Sequence, residues 1–302
     1  MSAPRSRAVE RALGVLARVL GVIFIAAVVI VTLFPFYWML RTALSSTREL
    51  AADPASLLPV GFTLDAFARV LGIASQGEAI AAGGSGASLN FWRYLGNSVV
   101  VSTSVTVLQV LFCTMAAYAF ARLRWRGRDQ LFFLLLSALM IPPIFTLLPN
   151  YMTIRSLGLT QTLAGIILPS AFMTPFALFF MRQFFLGISR EIEEAALLDG
   201  IGRIRTLFRI VVPISWAPIT TLGVLTYIAS WNDYMWPLLV ASKDEVRVLT
   251  VALGVFKAQT PTGTPDWAGL MAATVVSSVP LLVLYGLLAR RIVNSIGFTG
   301  LK

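Results

Sequence analysis

Long apolar runs alternate with shorter polar segments along the 302 residues of this chain. A helix needs about 20 residues to cross the hydrocarbon core of a membrane, and several charge-free windows reach that size. The runs are continuous rather than strictly alternating, which favours helices over barrel strands. The pattern predicts an all-α integral membrane protein with six transmembrane helices, in the windows 19–40, 94–121, 130–154, 156–181, 210–232 and 267–289.

The fourth window has a polar, turn-like start over residues 157–162, so its helix is predicted to begin near Leu163. Prolines lie at membrane depth in several windows, and each removes a backbone donor and tends to kink its helix. Such kinks suit a moving gate and equally a static bend, and the sequence leaves both readings open. The residues concerned are Pro35, Pro142, Pro143, Pro169, Pro175 and Pro280.

The first apolar run follows a basic segment, as the core of a secretory signal does. It is longer than such a core and lacks a small-residue cleavage site, so it is predicted to be a retained helix. The predicted organisation is a cytoplasmic tail over 1–18, a six-helix transmembrane domain over 19–290 and a second cytoplasmic tail over 291–302.

Composition supports a membrane protein, because 57% of the residues are hydrophobic and only 13% are charged, against about a quarter charged in soluble domains. There is no His, and Cys113 is the single cysteine. A disulfide framework within the chain is therefore excluded, and a metal site is not expected. The net charge of +10 does not indicate a nucleic-acid partner, because the basic residues lie in segments between the apolar runs.

Basic residues also predict the orientation. If both termini are cytoplasmic, the cytoplasmic segments carry about twice as many Lys and Arg as the outer ones, as the positive-inside rule requires. The clearest marker is the arginine-rich segment 122–128. On this topology the longest outer loop covers residues 41–93. We expect a short amphipathic helix over 63–71 and a flexible Gly- and Ser-rich stretch over 72–88.

One cytoplasmic segment, between the fourth and fifth windows, has the signals of a helix-turn-helix elbow. Ser189 is a suitable N-cap, and Gly200 can adopt the left-handed conformation that ends a helix. A second short helix then leads to Pro213 and the fifth span. Acidic side chains that suit the positive end of a helix dipole occupy the first turns, namely Glu191, Glu193 and Glu194.

This segment resembles the EAA loop of binding-protein-dependent ABC importer permeases. That loop has Glu-Ala-Ala, three residues, Gly, nine residues and then Ile-x-Leu-Pro. Only Val212 departs from the pattern, as a conservative change from Leu. The matching positions here are Glu194-Ala195-Ala196, Gly200 and Ile210-Val211-Val212-Pro213.

The resemblance implies a type I ABC importer permease fold in which the loop 184–213 carries a coupling helix that seats in a cleft of an ATPase subunit. Alanines would let another backbone approach closely, and Glu194 could accept hydrogen bonds from a basic partner surface. Gly200 would set the angle of the elbow. The coupling residues expected from the resemblance are Glu194, Ala195, Ala196, Asp199, Gly200 and Pro213.

Weaker similarities, in the same order along the chain, resemble the carbohydrate branch and its six-span maltose-type subunit. They imply a sugar or related solute, which could be an oligosaccharide, a monosaccharide or a glycerol phosphate. Relative to compact members, residues 74–88 look like an insertion. The segments concerned are Asn97-Ser98, Ala117–Arg122, Trp125-Arg126-Gly127, Trp231-Asn232-Asp233 and Gly300-Leu301-Lys302.

Asn232 and Asp233 are the candidates for a gate or translocation path, since an ionisable residue near a span is a functional candidate. The alternative is a structural anchor in an aromatic belt formed with Trp231, Tyr234 and Trp236. The sequence leaves both possibilities open.

The chain contains no Gly-x-x-x-x-Gly-Lys-Ser/Thr phosphate loop, so we expect no enzyme activity and no cofactor in this chain. ATP and Mg would bind a partner. The resemblance implies a second homologous permease, two ATPase subunits and an extracytoplasmic solute-binding protein, in contact with lipid at the bacterial cytoplasmic (inner) membrane. An ion-gradient-driven secondary transporter is the alternative, although the spans show no midplane charge and no evident repeat. A non-transporting scaffold would not need the elbow motif.

Overall fold

The computed structural model describes residues 4–81, 90–258 and 266–297, and every regular element within these ranges is helical. The prediction of an all-α protein is therefore confirmed. The helices are α1 (Pro4–Ala43), α2 (Thr47–Ala52), α3 (Asp65–Val70), α4 (Gln76–Ala81), α5 (Phe91–Arg122), α6 (Arg128–Ser137), α7 (Pro143–Ser156), α8 (Leu163–Ala171), α9 (Pro175–Leu186), α10 (Arg190–Leu198), α11 (Arg203–Thr206), α12 (Val212–Ile214), α13 (Trp216–Trp231), α14 (Met235–Val240), α15 (Leu249–Ala258) and α16 (Trp267–Gly297), with a 3-10 turn at Ala138–Met140 and a π-helix at Leu207–Val211.

The six predicted windows correspond to three uninterrupted helices and three bent helix pairs. The uninterrupted candidate spans are Leu13–Ala43, Phe91–Arg122 and Trp267–Leu287. The bent pairs are Arg128–Met140 with Pro143–Ser156 at 104°, Leu163–Ala171 with Pro175–Leu186 at 43°, and Arg203–Ile214 with Trp216–Trp231 at 82°. By length and composition the described helices supply three spans, or six if each bent pair is one span.

Prolines mark two of these breaks. Pro142 lies in the break of the 104° bend and Pro143 opens α7, while Pro175 opens α9 after the 43° bend. Neither α6, at 10 residues, nor α7, at 14 residues, could span the core of about 30 Å by itself at 1.5 Å per residue. Three other predicted kink sites lie inside continuous helices, namely Pro35, Pro169 and Pro280.

One compact unit contains Met1–Ser88 and Gln259–Val276. Within it the segment predicted to be the outer loop packs on the end of α1, where the buried Arg41 side chain donates from Nε to the Leu58 carbonyl at 3.2 Å. Arg69 and Asp266 form a buried ion pair at 3.1 Å. These contacts hold parts of this segment against the end of α1 and the start of α16.

The predicted amphipathic helix within 63–71 is confirmed as α3, which buries Ala66 and Val70. The prediction of a flexible stretch from 72 to 88 is wrong for the six residues of α4, which form a helix. Their start is stabilised by Glu78, whose carboxylate accepts hydrogen bonds from the backbone and hydroxyl of Ser75. Residues 82–88 of the predicted insertion lie outside the described ranges.

The other unit contains Leu89–Ala258 and Ser277–Lys302. Its centre is α5, which packs against α8, α9 and α13. The predicted start of the fourth helix near Leu163 is confirmed, because Thr162 caps α8 by accepting a hydrogen bond from the Gly165 backbone at 3.1 Å. An uninterrupted helix thus forms the centre against which α8, α9 and α13 pack.

Candidate functional site

The predicted loop between the fourth and fifth spans folds as an elbow of two short helical legs. Its first leg, α10, begins at the predicted cap, where the Ser189 hydroxyl accepts a hydrogen bond from the Glu191 backbone N–H at 3.3 Å. The cap satisfies one of the free donors at the helix start, and the glutamates that follow lie at the positive end of the helix dipole. Local sequence thus defines where the leg begins.

The turn of the elbow is a Schellman motif centred on Gly200, which has φ of +76°. The Ile201 N–H donates to the Ala196 carbonyl at 2.9 Å, and the Gly200 N–H donates to the Leu197 carbonyl at 3.0 Å, as this motif requires. A β-carbon at Gly200 would meet no atom within 4 Å. Glycine is therefore favoured here by its backbone conformation and not by crowding within the chain.

Helix α10 has two different faces. Glu193 and Ala196 are buried at 9% and 4% exposure, so one face packs against the chain itself. Glu194 and Ala195 are exposed on the opposite face, and Leu198 lies beside them with 89% of its surface exposed. The outward face thus combines a carboxylate, a small side chain and a free apolar side chain.

The expected coupling residues therefore separate into two groups. Ala196 packs inward, whereas the others are exposed on the surface of this chain. The exposed residues are Glu194, Ala195, Asp199, Gly200 and Pro213.

The second leg of the elbow is α11, which continues as the π-helix and ends at α12 before the 82° bend. An open concavity of about 850 Å³ lies between this leg and Gly200. Exposed Ile204 and Phe208 supply apolar surface to it. Its basic side chains are Arg203, Arg205 and Arg209. The elbow therefore has an exposed apolar surface bordered by positive charge, which the motif alone did not indicate.

Glu193 has a contact that the sequence did not reveal. Its carboxylate forms an ion pair with Arg122 Nε at 3.0 Å, and the Tyr118 hydroxyl donates to it at 3.3 Å. The sequence analysis grouped Glu193 with Glu191 and Glu194 as a helix-dipole residue. Helical periodicity separates it from them, since only Glu193 shares the inward face with Ala196.

A cavity of about 370 Å³ lies among α5, α8 and α13. The Gln109 amide donates to the Thr174 hydroxyl at 3.0 Å, at the bend between α8 and α9. Apolar side chains such as Val101 and Val105 line much of its wall. Its polar lining consists of Gln109, Ser170, Thr174, Thr226, Ser230 and Asp233.

The two predicted path residues have different environments. Asn232 donates its side-chain amide to the Ile228 carbonyl at 2.9 Å, at the end of α13, whereas Asp233 lines the cavity. Burial raises the pKa of the Asp233 carboxyl, and the backbone N–H groups of Trp236 and Tyr234 oppose that rise. The structure thus places Asp233 at the cavity and Asn232 in a helix cap.

The aromatic residues near Asp233 do not share one environment either. Trp231 and Trp236 are buried at 5% and 9% exposure, and the Trp236 indole donates to the Ile166 carbonyl at 3.2 Å. Tyr234 is 41% exposed. Two of the three rings therefore pack within the protein rather than forming an exposed belt.

Residues 109–297 match the family model described as binding-protein-dependent transport system inner membrane component. The matched segment includes the elbow and most of the cavity lining. It covers more than half of the chain.

Similar proteins extend the match beyond that segment. The chain is 30% identical to the trehalose/maltose transport system permease protein MalG of Thermococcus litoralis, over 95% of this chain and 98% of that protein. It is also 30% identical to the sn-glycerol-3-phosphate transport system permease protein UgpE of Brucella abortus, over 96% of this chain and 97% of that one.

A solved structure has the same fold. The crystal structure of a bacterial ABC transporter involved in the import of the acidic polysaccharide alginate matches with a TM-score of 0.71 at 24% identity. The match covers 93% of this chain and 96% of the chain in that structure.

Proposed function

Because this chain belongs to the family of binding-protein-dependent transport system inner membrane components, we propose that it is the permease subunit of an ATP-driven importer. It forms half of a translocation path for a sugar or related solute. The family is one of transporter components and not of enzymes. ATP hydrolysis then belongs to separate subunits that dock on this chain.

The observation that carries this proposal is the geometry of the elbow. Gly200 reverses the chain in the left-handed conformation, and the preceding helix presents Glu194, Ala195 and Leu198 outward. Short side chains permit close approach of another backbone, and an exposed leucine contributes apolar surface at an interface. Such a surface is suited to a cleft on an ATPase subunit.

The proposed assembly contains a second homologous permease, two ATPase subunits and an extracytoplasmic solute-binding protein. ATP binding draws the ATPases together, the elbows follow, and the helices change from inward-facing to outward-facing. Because ATP binds one arrangement more tightly than the other, it shifts the population between them. Both ATP and Mg bind the partner ATPases in this scheme.

The proposed location is the inner membrane, with several crossings and both termini in the cytoplasm. Arg122 at the end of α5 donates to the carbonyls of Phe185 and Ile188, at the start of the elbow. The arginine-rich segment after α5 and the elbow therefore lie at the same membrane face. Their shared positive charge supports a cytoplasmic position for both.

The lining of the cavity supports an uncharged, hydroxyl-rich solute. Amide and hydroxyl groups such as Gln109, Thr226 and Ser230 can exchange hydrogen bonds with sugar hydroxyls. Among the described residues, Asp233 is the charged side chain on this wall, and no Lys or Arg lines it. An anionic solute would find no opposite charge in this half of the path.

The test is purification of the tagged chain in mild detergent from its own cells. An ATPase subunit and a second permease should copurify, and mass spectrometry of the associated binding protein should identify a carbohydrate. An ATPase-free chain that transports a solute by itself would contradict the proposal. The family assignment already favours it over the alternative, a secondary transporter driven by an ion gradient.

A further inference from the structure

The inward face of α10 is joined to α5 by a buried charge contact. Arg122 is the last residue of α5, and its side chain is 4% exposed. Its Nε pairs with Glu193 Oε1 at 3.0 Å, while its Nη2 donates to the Phe185 and Ile188 carbonyls. One guanidinium thus contacts the end of α9 and the middle of α10.

A second group on α5 contacts the same carboxylate. Tyr118, four residues before Arg122, donates its hydroxyl to Glu193 Oε2 at 3.3 Å. Residues four apart lie on one face of a helix. Tyr118 and Arg122 therefore contact the two carboxylate oxygens of Glu193 from the same face of α5. The Tyr118 ring also packs edge-on against Phe185, with centroids 6.4 Å apart.

Helix α5 is regular, whereas the two chain segments directly before and after the elbow are bent. On one side the fourth span is bent by 43°, and on the other the chain passes through a π-helix and an 82° bend. Such irregular segments absorb a displacement by changing their angle. Helix α5 is uninterrupted from Phe91 to Arg122 and has no internal proline, so it lacks the irregularities that would absorb a displacement.

Helix α5 extends from the elbow to the cavity. Gln109 lines the cavity and lies 13 residues before Arg122, which corresponds to about 20 Å along the helix at 1.5 Å per residue. Val105 and Val101 line the same cavity further along α5. A displacement at Arg122 would therefore shift one wall of the cavity.

We propose that Arg122 and Glu193 form a joint that transmits movement of the docked elbow through α5 to the cavity wall. Glu194 faces the partner, and Glu193, the next residue, faces α5. In this scheme Glu194 receives the movement from the ATPase, and Glu193 passes it to α5 through Arg122. Glu193 and Arg122 are positioning residues in this scheme, and the inference rests on the proposed docking of the elbow on an ATPase.

The experiment makes the same substitution at adjacent positions. Glu193→Gln and Glu194→Gln each replace a carboxylate by an amide of similar size, in the full complex reconstituted in proteoliposomes. Solute uptake, ATP hydrolysis and retention of the ATPase are measured at equal protein levels. Uptake divided by hydrolysis gives the coupling ratio, which a change in stability alone does not alter.

Glu193→Gln should keep the ATPase bound and hydrolysing while the coupling ratio falls about tenfold or more, the usual size of a coupling free energy. Glu194→Gln should instead release the ATPase. Because Glu193→Gln leaves the Arg122 charge without its partner, the double variant Arg122→Gln with Glu193→Gln is measured as well, since removing both charges leaves none unpaired. It should retain the ATPase and remain uncoupled.

A normal coupling ratio in the double variant would refute the proposal that Arg122 and Glu193 transmit movement. It would show that the ion pair only stabilises the fold. Loss of the ATPase from Glu193→Gln and from the double variant would overturn it as well, because the inward face would then be needed for docking. Failure of the wild-type chain to retain any ATPase would be a different result, since it would refute the proposed function itself.

Discussion

Replacing Gly200 by alanine tests the elbow at its turn. The residue has φ of +76°, and a β-carbon there would meet no atom within 4 Å of this chain. Gly200→Ala therefore adds no clash within the chain, and its effect comes from the backbone conformation. Gly202 is the matched control, because it is equally uncrowded but has φ of −67° and ψ of 154°, which any residue can adopt.

The expected magnitude follows from the left-handed conformation. An L-residue there costs about 1 kcal/mol more than glycine. The free variant avoids this cost by leaving the left-handed conformation, and docking must restore the turn. At 1.4 kcal/mol for each factor of ten, that cost corresponds to about fivefold weaker docking. Gly202→Ala should change docking by less than about twofold, because its conformation carries no such penalty. Gly200→Asn should lie between wild type and Gly200→Ala, since asparagine tolerates the left-handed region better than alanine.

The assay is titration of purified ATPase subunit against detergent-solubilised permease at equal levels of each variant. The predicted order of affinity is wild type, then Gly200→Asn, then Gly200→Ala, with Gly202→Ala close to wild type. Equal affinities for Gly200→Ala and Gly202→Ala would refute the reasoning, because the turn conformation would then have no part in docking. Direct contact between a partner and Gly200 would make the loss larger than fivefold in both Gly200 variants.

Further predictions address docking, orientation and energy supply. Glu194→Lys should weaken ATPase retention in a pull-down by about tenfold or more, through repulsion from a basic partner surface, whereas Arg203→Lys, which keeps its positive charge, should leave it unchanged; equal retention in both would contradict the predicted contact. In a Cys113→Ser background, an impermeant thiol reagent applied to intact cells should label Ala55→Cys but not Arg126→Cys, and the reverse pattern would contradict the orientation. The purified single chain should bind no ATP in equilibrium dialysis, and saturable binding would contradict the partner-based scheme.

The elbow could be predicted from sequence because its determinants are local. Ser189 caps one end, and Gly200 adopts the positive φ that a Schellman turn requires. The positions depend on short-range spacing, which a sequence displays directly. The same holds for the start of the fourth helix near Leu163, where Thr162 is the cap.

The inward role of Glu193 could not be predicted in the same way. Its partners, Arg122 and Tyr118, are brought to it by packing of α5 against α9. The helix dipole stabilises a negative charge near the start of a helix on any face. It therefore does not distinguish Glu193 from Glu191 and Glu194. Only the packing of the helix decides that Glu193 is buried and Glu194 is exposed.

The positions of the helix bends could not be predicted from the prolines alone. Pro143 and Pro175 each open a helix after a break, but Pro35 and Pro280 lie inside continuous ones. A proline always removes one backbone donor. Whether the chain bends there depends on what else satisfies the freed carbonyl, and that is set by tertiary packing.

The most direct test of the central claim is solute uptake by the complete complex in proteoliposomes with the binding protein present. The predicted result is accumulation of a carbohydrate that requires ATP on the ATPase side, persists when ionophores abolish proton and sodium gradients, and is lost with Glu194→Lys. Uptake that continues without ATP and disappears with the ionophores would contradict the claim that this chain is the permease subunit of an ATP-driven importer.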